Sequence, residues 1–216
     1  MRILTCAAAA AVLLLAVPAA LAHQGSPNFL SEVNSITPDV DGVDVTVLNR
    51  DDRLLLHNAS GKTVVVEGYS REPYARIAGD GTVAVNTDSQ AYYLNEERDG
   101  RVEVPPDADS KGEPHWKQIS RSGRFEWHDH RIHWMVAGDP EQVTDEDVRT
   151  KIFDWKVPLR IDGRSGAIAG TLFWTPMPSS GLPLAAIFAF AALVIVLCIA
   201  VAIARRRRIA APKEAW

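Results

Sequence analysis

The sequence predicts an all-β, antiparallel domain carried on one membrane-spanning helix. Three observations support this. Uncharged apolar blocks lie near both ends of the 216-residue chain, short β-type segments run between them, and turn-forming dipeptides sit at the joints. The chain is 47% hydrophobic and 23% charged, an average that suits a soluble protein and hides the two blocks. Removing them leaves one domain of ~150 residues, enough to bury a core. Both cysteines, Cys6 and Cys198, fall inside the apolar blocks, so a disulfide-stapled scaffold is excluded.

The first element is residues 1–22. Met1-Arg2 is followed by an apolar run from Ile3 to Leu21 that closes on Ala20-Leu21-Ala22, with small residues at the −3 and −1 positions. This is the pattern of a secretory signal, and it predicts a mature chain beginning at His23. The last element, residues 182–204, is 23 residues without a charge. As a helix it spans ~34 Å, enough for a hydrocarbon core of ~30 Å. Pro183 falls in its first turn, where a missing N–H costs little. Arg205, Arg206, Arg207 and Arg208 follow at once and mark the cytoplasmic side.

The expected protein is therefore single-pass in the cell membrane. Its domain, residues 23–178, is extracytoplasmic, and its basic tail, residues 205–216, is cytoplasmic. Membrane lipid is then a partner through the helix. The whole chain carries −4; the residues outside 23–204 sum to +5, which leaves −9 on the exported part and its span. An acidic exterior disfavours nucleic acid and is compatible with cations.

The domain reads as strands in order. Residues 43–48 alternate with period two. Residues 53–57 and 63–67 follow, joined by the turn-rich Asn58-Ala59-Ser60-Gly61. Asp80-Gly81 separates residues 75–77 from 82–85 as a hairpin signal. Residues 90–94, 116–119, 125–135, 153–161 and 167–174 are further strand candidates, and Asp162-Gly163 is a second tight-turn pair. Residues 98–114, with Pro105, Pro106 and Pro114, read as a long loop. Residues 141–148 read as one or two helical turns or an acidic loop. Eight or nine evenly spaced strands argue for an immunoglobulin-like antiparallel sandwich.

Chemistry concentrates in Trp127-His128-Asp129-His130-Arg131-Ile132-His133-Trp134-Met135. On an extended strand, His128 and His130 project to one face ~6.6–6.8 Å apart, close enough to share a metal, with Asp129 and His133 on the other face. A mature N-terminal His23 would add an α-amine and a ring nitrogen, and such a set suits Cu(II). Two readings stand side by side here: a copper site using His23, His128 and His130 with His133 beside it, or ordinary cross-strand packing.

An N-terminal histidine with a late-strand histidine cluster resembles the periplasmic copper-binding proteins of the copper-resistance family. Those are small β-sandwiches that use an N-terminal histidine and a late Asp-x-His. Here the order is His128-Asp129-His130, a departure from that pattern. Across the exported region the chain resembles a group of membrane-anchored exported actinobacterial proteins. The residues that carry this are Glu67-Gly68-Tyr69, Glu72-Pro73-Tyr74-Ala75-Arg76-Ile77, Tyr93-Leu94-Asn95, the histidine segment and Trp155-x-Val157-Pro158-Leu159. That resemblance implies export and anchoring and no particular activity.

Tyr74 and Arg76, with Tyr92-Tyr93, are candidates for one binding surface, and Arg131 is a further binding candidate. Trp155 and Trp174 read as core. No nucleophile elbow accompanies the serines, and Glu96-Glu97 and Asp145-Glu146-Asp147 sit in polar stretches that read as solvated. The expectation is a binding protein, with Cu(II) as its ion and an envelope protein or metal transporter as its partner. The alternative is a metal-free interaction or structural module.

Overall fold

A computed structural model describes residues 27–106, 108, 111–177 and the helix backbone of 184–209. The predicted signal and His23 lie outside the described residues. The chain divides into a body, Met1–Pro176, and a second unit, Met177–Trp216.

The described residues of the body form ten strands: β1 (Phe29–Thr37), β2 (Val43–Leu48), β3 (Arg53–Asn58), β4 (Val64–Glu67), β5 (Pro73–Ile77), β6 (Val83–Asn86), β7 (Trp116–Ser120), β8 (Arg124–Trp127), β9 (Thr150–Ile161) and β10 (Arg164–Trp174). They form two antiparallel sheets, one ordered β1-β10-β9-β4-β5-β6-β7 and the other β2-β3-β8. One buried cluster joins the sheets. Leu54 and Leu56 of the small sheet and Val64, Ile77, Val157, Ile161 and Ile168 of the large one are fully enclosed. Each such side chain contributes ~1.5–3 kcal/mol of transfer free energy. Trp155 and Trp174 are core residues, as their sequence context implies.

The period-two reading of residues 43–48 matches β2, and the hairpin signals at Asp80-Gly81 and Asp162-Gly163 join β5 to β6 and β9 to β10. Residues 141–148 take the loop alternative, with turns and no helix. Two expectations need correction. Residues 90–94 form a helix, α1 (Gln90–Leu94), because the Ser89 hydroxyl caps the N–H of Ala91. The candidate strand 125–135 stops at Trp127 and continues into a 3-10 turn, His130–Ile132. The cause is Asp129, whose carboxylate accepts the N–H of Arg131 and bends the chain out of the extended form. Sequence reading also passed over β1, whose exposed end and irregular register at Val33 and Ser35 blur its alternation.

The two ends of the body differ. At one end the connections are short and glycine-bearing. A Cβ on Gly79 would stand 2.1 Å from the Gly61 carbonyl oxygen, and one on Gly123 would stand 2.9 Å from that of Asn58. At the other end two connections, 87–115 and 128–149, are long, and the chain exits there through Thr175, whose N–H bonds the Asn28 carbonyl. The second unit contains α2 (Leu184–Ile209), 26 residues long. Its Ile187–Arg206 stretch is long and apolar enough to cross a membrane by length and composition, and its side chains are unburied.

Candidate functional site

The histidine segment lies at the long-loop end and belongs to a buried polar cluster. Its foundation is the β2–β3 turn, where Asn49 and Arg50 take left-handed conformations (φ 50° and 74°). The turn carries Asp51 and Asp52 inward, and they are 1% and 6% exposed. Arg98, from the loop after α1, reaches across to them, 2.7 Å from Asp51 and 3.5 Å from Asp52.

His128 is set against the same turn. Its Nδ1 lies 3.0 Å from the Asp52 carbonyl oxygen, and its Nε2 lies 3.2 Å from the Arg53 Nε. A guanidinium only donates, so Nε2 accepts and Nδ1 carries the proton. One tautomer satisfies both contacts. Asp129 is fully buried and saturated with donors: the Trp127 indole at 2.9 Å, the Arg131 N–H at 3.1 Å, and the Arg131 Nε and Nη2, each at 2.7 Å. Burial opposes the charge on Arg131, but the bidentate Asp129 outweighs it and holds the guanidinium above its ordinary pKa.

Arg131 also stands 4.9 Å over the Tyr69 ring, and His130 stacks on that ring at 5.6 Å. The Tyr69 hydroxyl accepts the His130 N–H at 3.0 Å and donates to the Asn95 side chain. Burial first, and the Asp129 charge second, push the Tyr69 pKa well up, so the phenol keeps its proton. The His130 Nε2 lies 3.1 Å from the Glu97 carbonyl oxygen.

His133 differs from its neighbours. It is 2% exposed, and neither ring nitrogen has a hydrogen-bond partner among the described residues. The nearest carboxylate oxygen, on Asp51, is 3.9 Å from Nδ1. Burial lowers the His133 pKa, a nearby Arg98 lowers it further, and Asp51 only partly opposes them. The ring is neutral at neutral pH.

The structure brings His128, His130 and His133 into one neighbourhood, with the His130 and His133 ring centroids 6.4 Å apart. It does not place them on a strand face. Among the described residues, no group of three or more His, Cys, Asp or Glu side chains is arranged to hold a metal ion. His23, the first ligand of the expected copper set, lies outside the described residues. Arg53 faces the accepting nitrogen of His128, and Arg98 and Arg131 already occupy the nearest carboxylates.

The three binding candidates do not share a surface. Val66 pairs with Ala75 and Glu67 with Pro73, so Tyr74 is the extra residue of a bulge. The bulge turns Tyr74 into the core, where it packs edge-on against Phe125 of the other sheet at 5.6 Å. Burial pushes its phenol pKa up as well. Arg76 stays on the outer face, 4.5 Å over the Trp116 ring, in a shallow groove of about 240 Å³. Arg131 is engaged with Asp129.

Sequence reading missed Asp51, Asp52, Tyr69, Asn95 and Arg98. Asp51, Asp52 and Tyr69 lie 61 to 82 positions from the histidines they meet, Asn95 and Arg98 join through Tyr69 and Asp51, and no local spacing announces them. One local signal was available: Asp129 two residues before Arg131 is a capping pattern, which argues against a strand through His130.

No family model matches the chain, and no curated protein or solved structure matches it.

Proposed function

We infer that this protein is a membrane-anchored extracytoplasmic binding module whose histidine segment is a metal-free structural clamp. In this reading the immunoglobulin-like body stands outside, α2 crosses once, and the arginine tail remains in the cytoplasm. The observation that carries the clamp is the occupancy of the donors. The His128 nitrogens face a carbonyl and a guanidinium, His130 faces a carbonyl, and Asp129 takes four N–H bonds. Opening that cluster for a cation would strip a buried arginine of its partner.

One observation favours a second reading. Among the described residues neither ring nitrogen of His133 has a hydrogen-bond partner, and two such nitrogens beside Asp51 are potential ligands. Copper held by these and His23 is the competing outcome. The test is copper content of the purified full chain after loading with Cu(II) and desalting, compared with His128→Ala. The clamp predicts no copper above background in either protein and a lower unfolding temperature in the variant. One copper per chain, lost in the variant, would overturn it. Orientation is checked separately: a carboxyl-terminal tag that proteases reach on intact cells contradicts the inside tail.

A further inference from the structure

Outside α2, five large apolar side chains of the described residues are exposed: Ile119, Met135, Val136, Val148 and Met177. Met135, Val136 and Val148 gather at the end where the chain leaves the body, and Met177 is on the exit segment itself. Trp134 stacks on Phe29 at 6.4 Å, and Phe29 meets Trp174 edge-on at 5.5 Å. Trp174 pairs with Thr150, two residues after Val148. The Met135-Val136 pair and Val148 therefore flank one aromatic stack at the terminus of β10. The Trp134 indole N–H is already satisfied by the Gly138 carbonyl at 2.8 Å, so its remaining edge is apolar.

The chain outside the body fixes what this rim meets. Eight residue steps separate Pro176 from Leu184, the first residue of α2. Eight steps reach at most ~29 Å. If α2 spans the bilayer, its first turn lies at the outer interface, and the exit end of the body is held within that distance of the headgroups. The exposed Met135, Val136 and Val148 side chains have an apolar phase within reach at such a place, and the half-buried Trp134 beside them brings an indole, which the interface favours. Charge selects the kind of surface. Asp139, Glu141, Asp145, Glu146 and Asp147 are exposed in the same loop, so an anionic surface repels it.

We propose that Trp134, Met135, Val136 and Val148 form a shallow membrane-contact rim that rests on the zwitterionic headgroup region of the bilayer crossed by α2. The proposal rests on the anchored reading above.

The test uses the full chain in phosphatidylcholine vesicles, with Cys6 and Cys198 replaced by serine. A fluorophore is placed at Val136→Cys, and in a control at Ile119→Cys on β7. A nitroxide carried high on the lipid chain should quench the label at 136 at least about twofold more than at 119. Replacing part of the lipid with phosphatidylglycerol should reduce that quenching. The double variant Met135→Asp with Val136→Asp, which alters exposed positions only, should lower quenching of a label at Val148→Cys. Vesicle flotation with equal quenching at 136 and 119 overturns the contact and leaves anchorage standing. A label at 136 shielded from both an aqueous quencher and the lipid nitroxide points to a second copy of the chain on the rim and also overturns it. A chain that fails to float overturns anchorage, and the contact with it.

Discussion

At one end of the body, glycines allow short connections to lie against one another. At the other, long loops are closed by charge. The first end needs backbone room: Gly79 lies against Gly61, and a Cβ on Gly42 would stand 3.0 Å from the Ala59 and Ser60 backbone. The second end needs partners: Arg98 for Asp51, Arg131 for Asp129, and the Tyr69 ring beneath both Arg131 and His130. A loop that returns in a few residues can be specified by its own backbone. A loop of many residues has to be fixed by contacts from elsewhere, and buried ion pairs do this with direction. The sequence feature that looks most like a cofactor site, three histidines within six positions, belongs to the second kind of closure.

This contrast can be broken in several ways. The largest expected effect is at Asp129. Asp129→Ala leaves the Arg131 guanidinium buried without its carboxylate and should cost ~3–5 kcal/mol in urea unfolding. A cost under ~1 kcal/mol would show that the cluster is incidental to stability. Next is Gly79→Ala at the other end, where the new methyl meets the Gly61 carbonyl oxygen. It should cost ~1–3 kcal/mol, and Gly79→Ser should be no better.

The third prediction concerns pH. Because burial depresses the His133 pKa, the unfolded chain binds a proton that the folded chain refuses. His133 therefore adds no penalty above its unfolded value of ~6.5, and the fold loses stability as pH falls below it. His133→Leu should flatten this acid limb while changing stability at pH 8 by no more than ~1.5 kcal/mol. An acid limb unchanged in the variant would remove His133 from the account. The smallest effect is Arg53→Gln. Its side chain is 43% exposed, so although the guanidinium pairs with Glu126 and donates to His128, its loss should cost ~0–1 kcal/mol.

The fold was legible wherever information was local. Period two gave β2, and the Asp-Gly pairs gave two hairpins, because a turn and its flanking strands are neighbours in sequence. The 23-residue uncharged block before four arginines coincides with the apolar part of α2 for the same reason. The histidine segment was misread because apolar and aromatic residues on both sides imitate a strand, while the bend depends on one carboxylate. Tyr74 and Arg76, two apart, should share a face; a single bulged residue separates them. The cluster was the least legible part. Arg98 and Asp51 are 47 positions apart, and only the assembled sheets bring them to 2.7 Å.

The most direct test of the clamp reads the His128 ring nitrogens by ¹⁵N NMR in the full chain, before and after one equivalent of Cu(II). The account predicts a protonated Nδ1 and an accepting Nε2, unchanged by the metal. Selective broadening of the His128 and His130 ring signals on adding copper, or a His128 that carries its proton on Nε2, would contradict it.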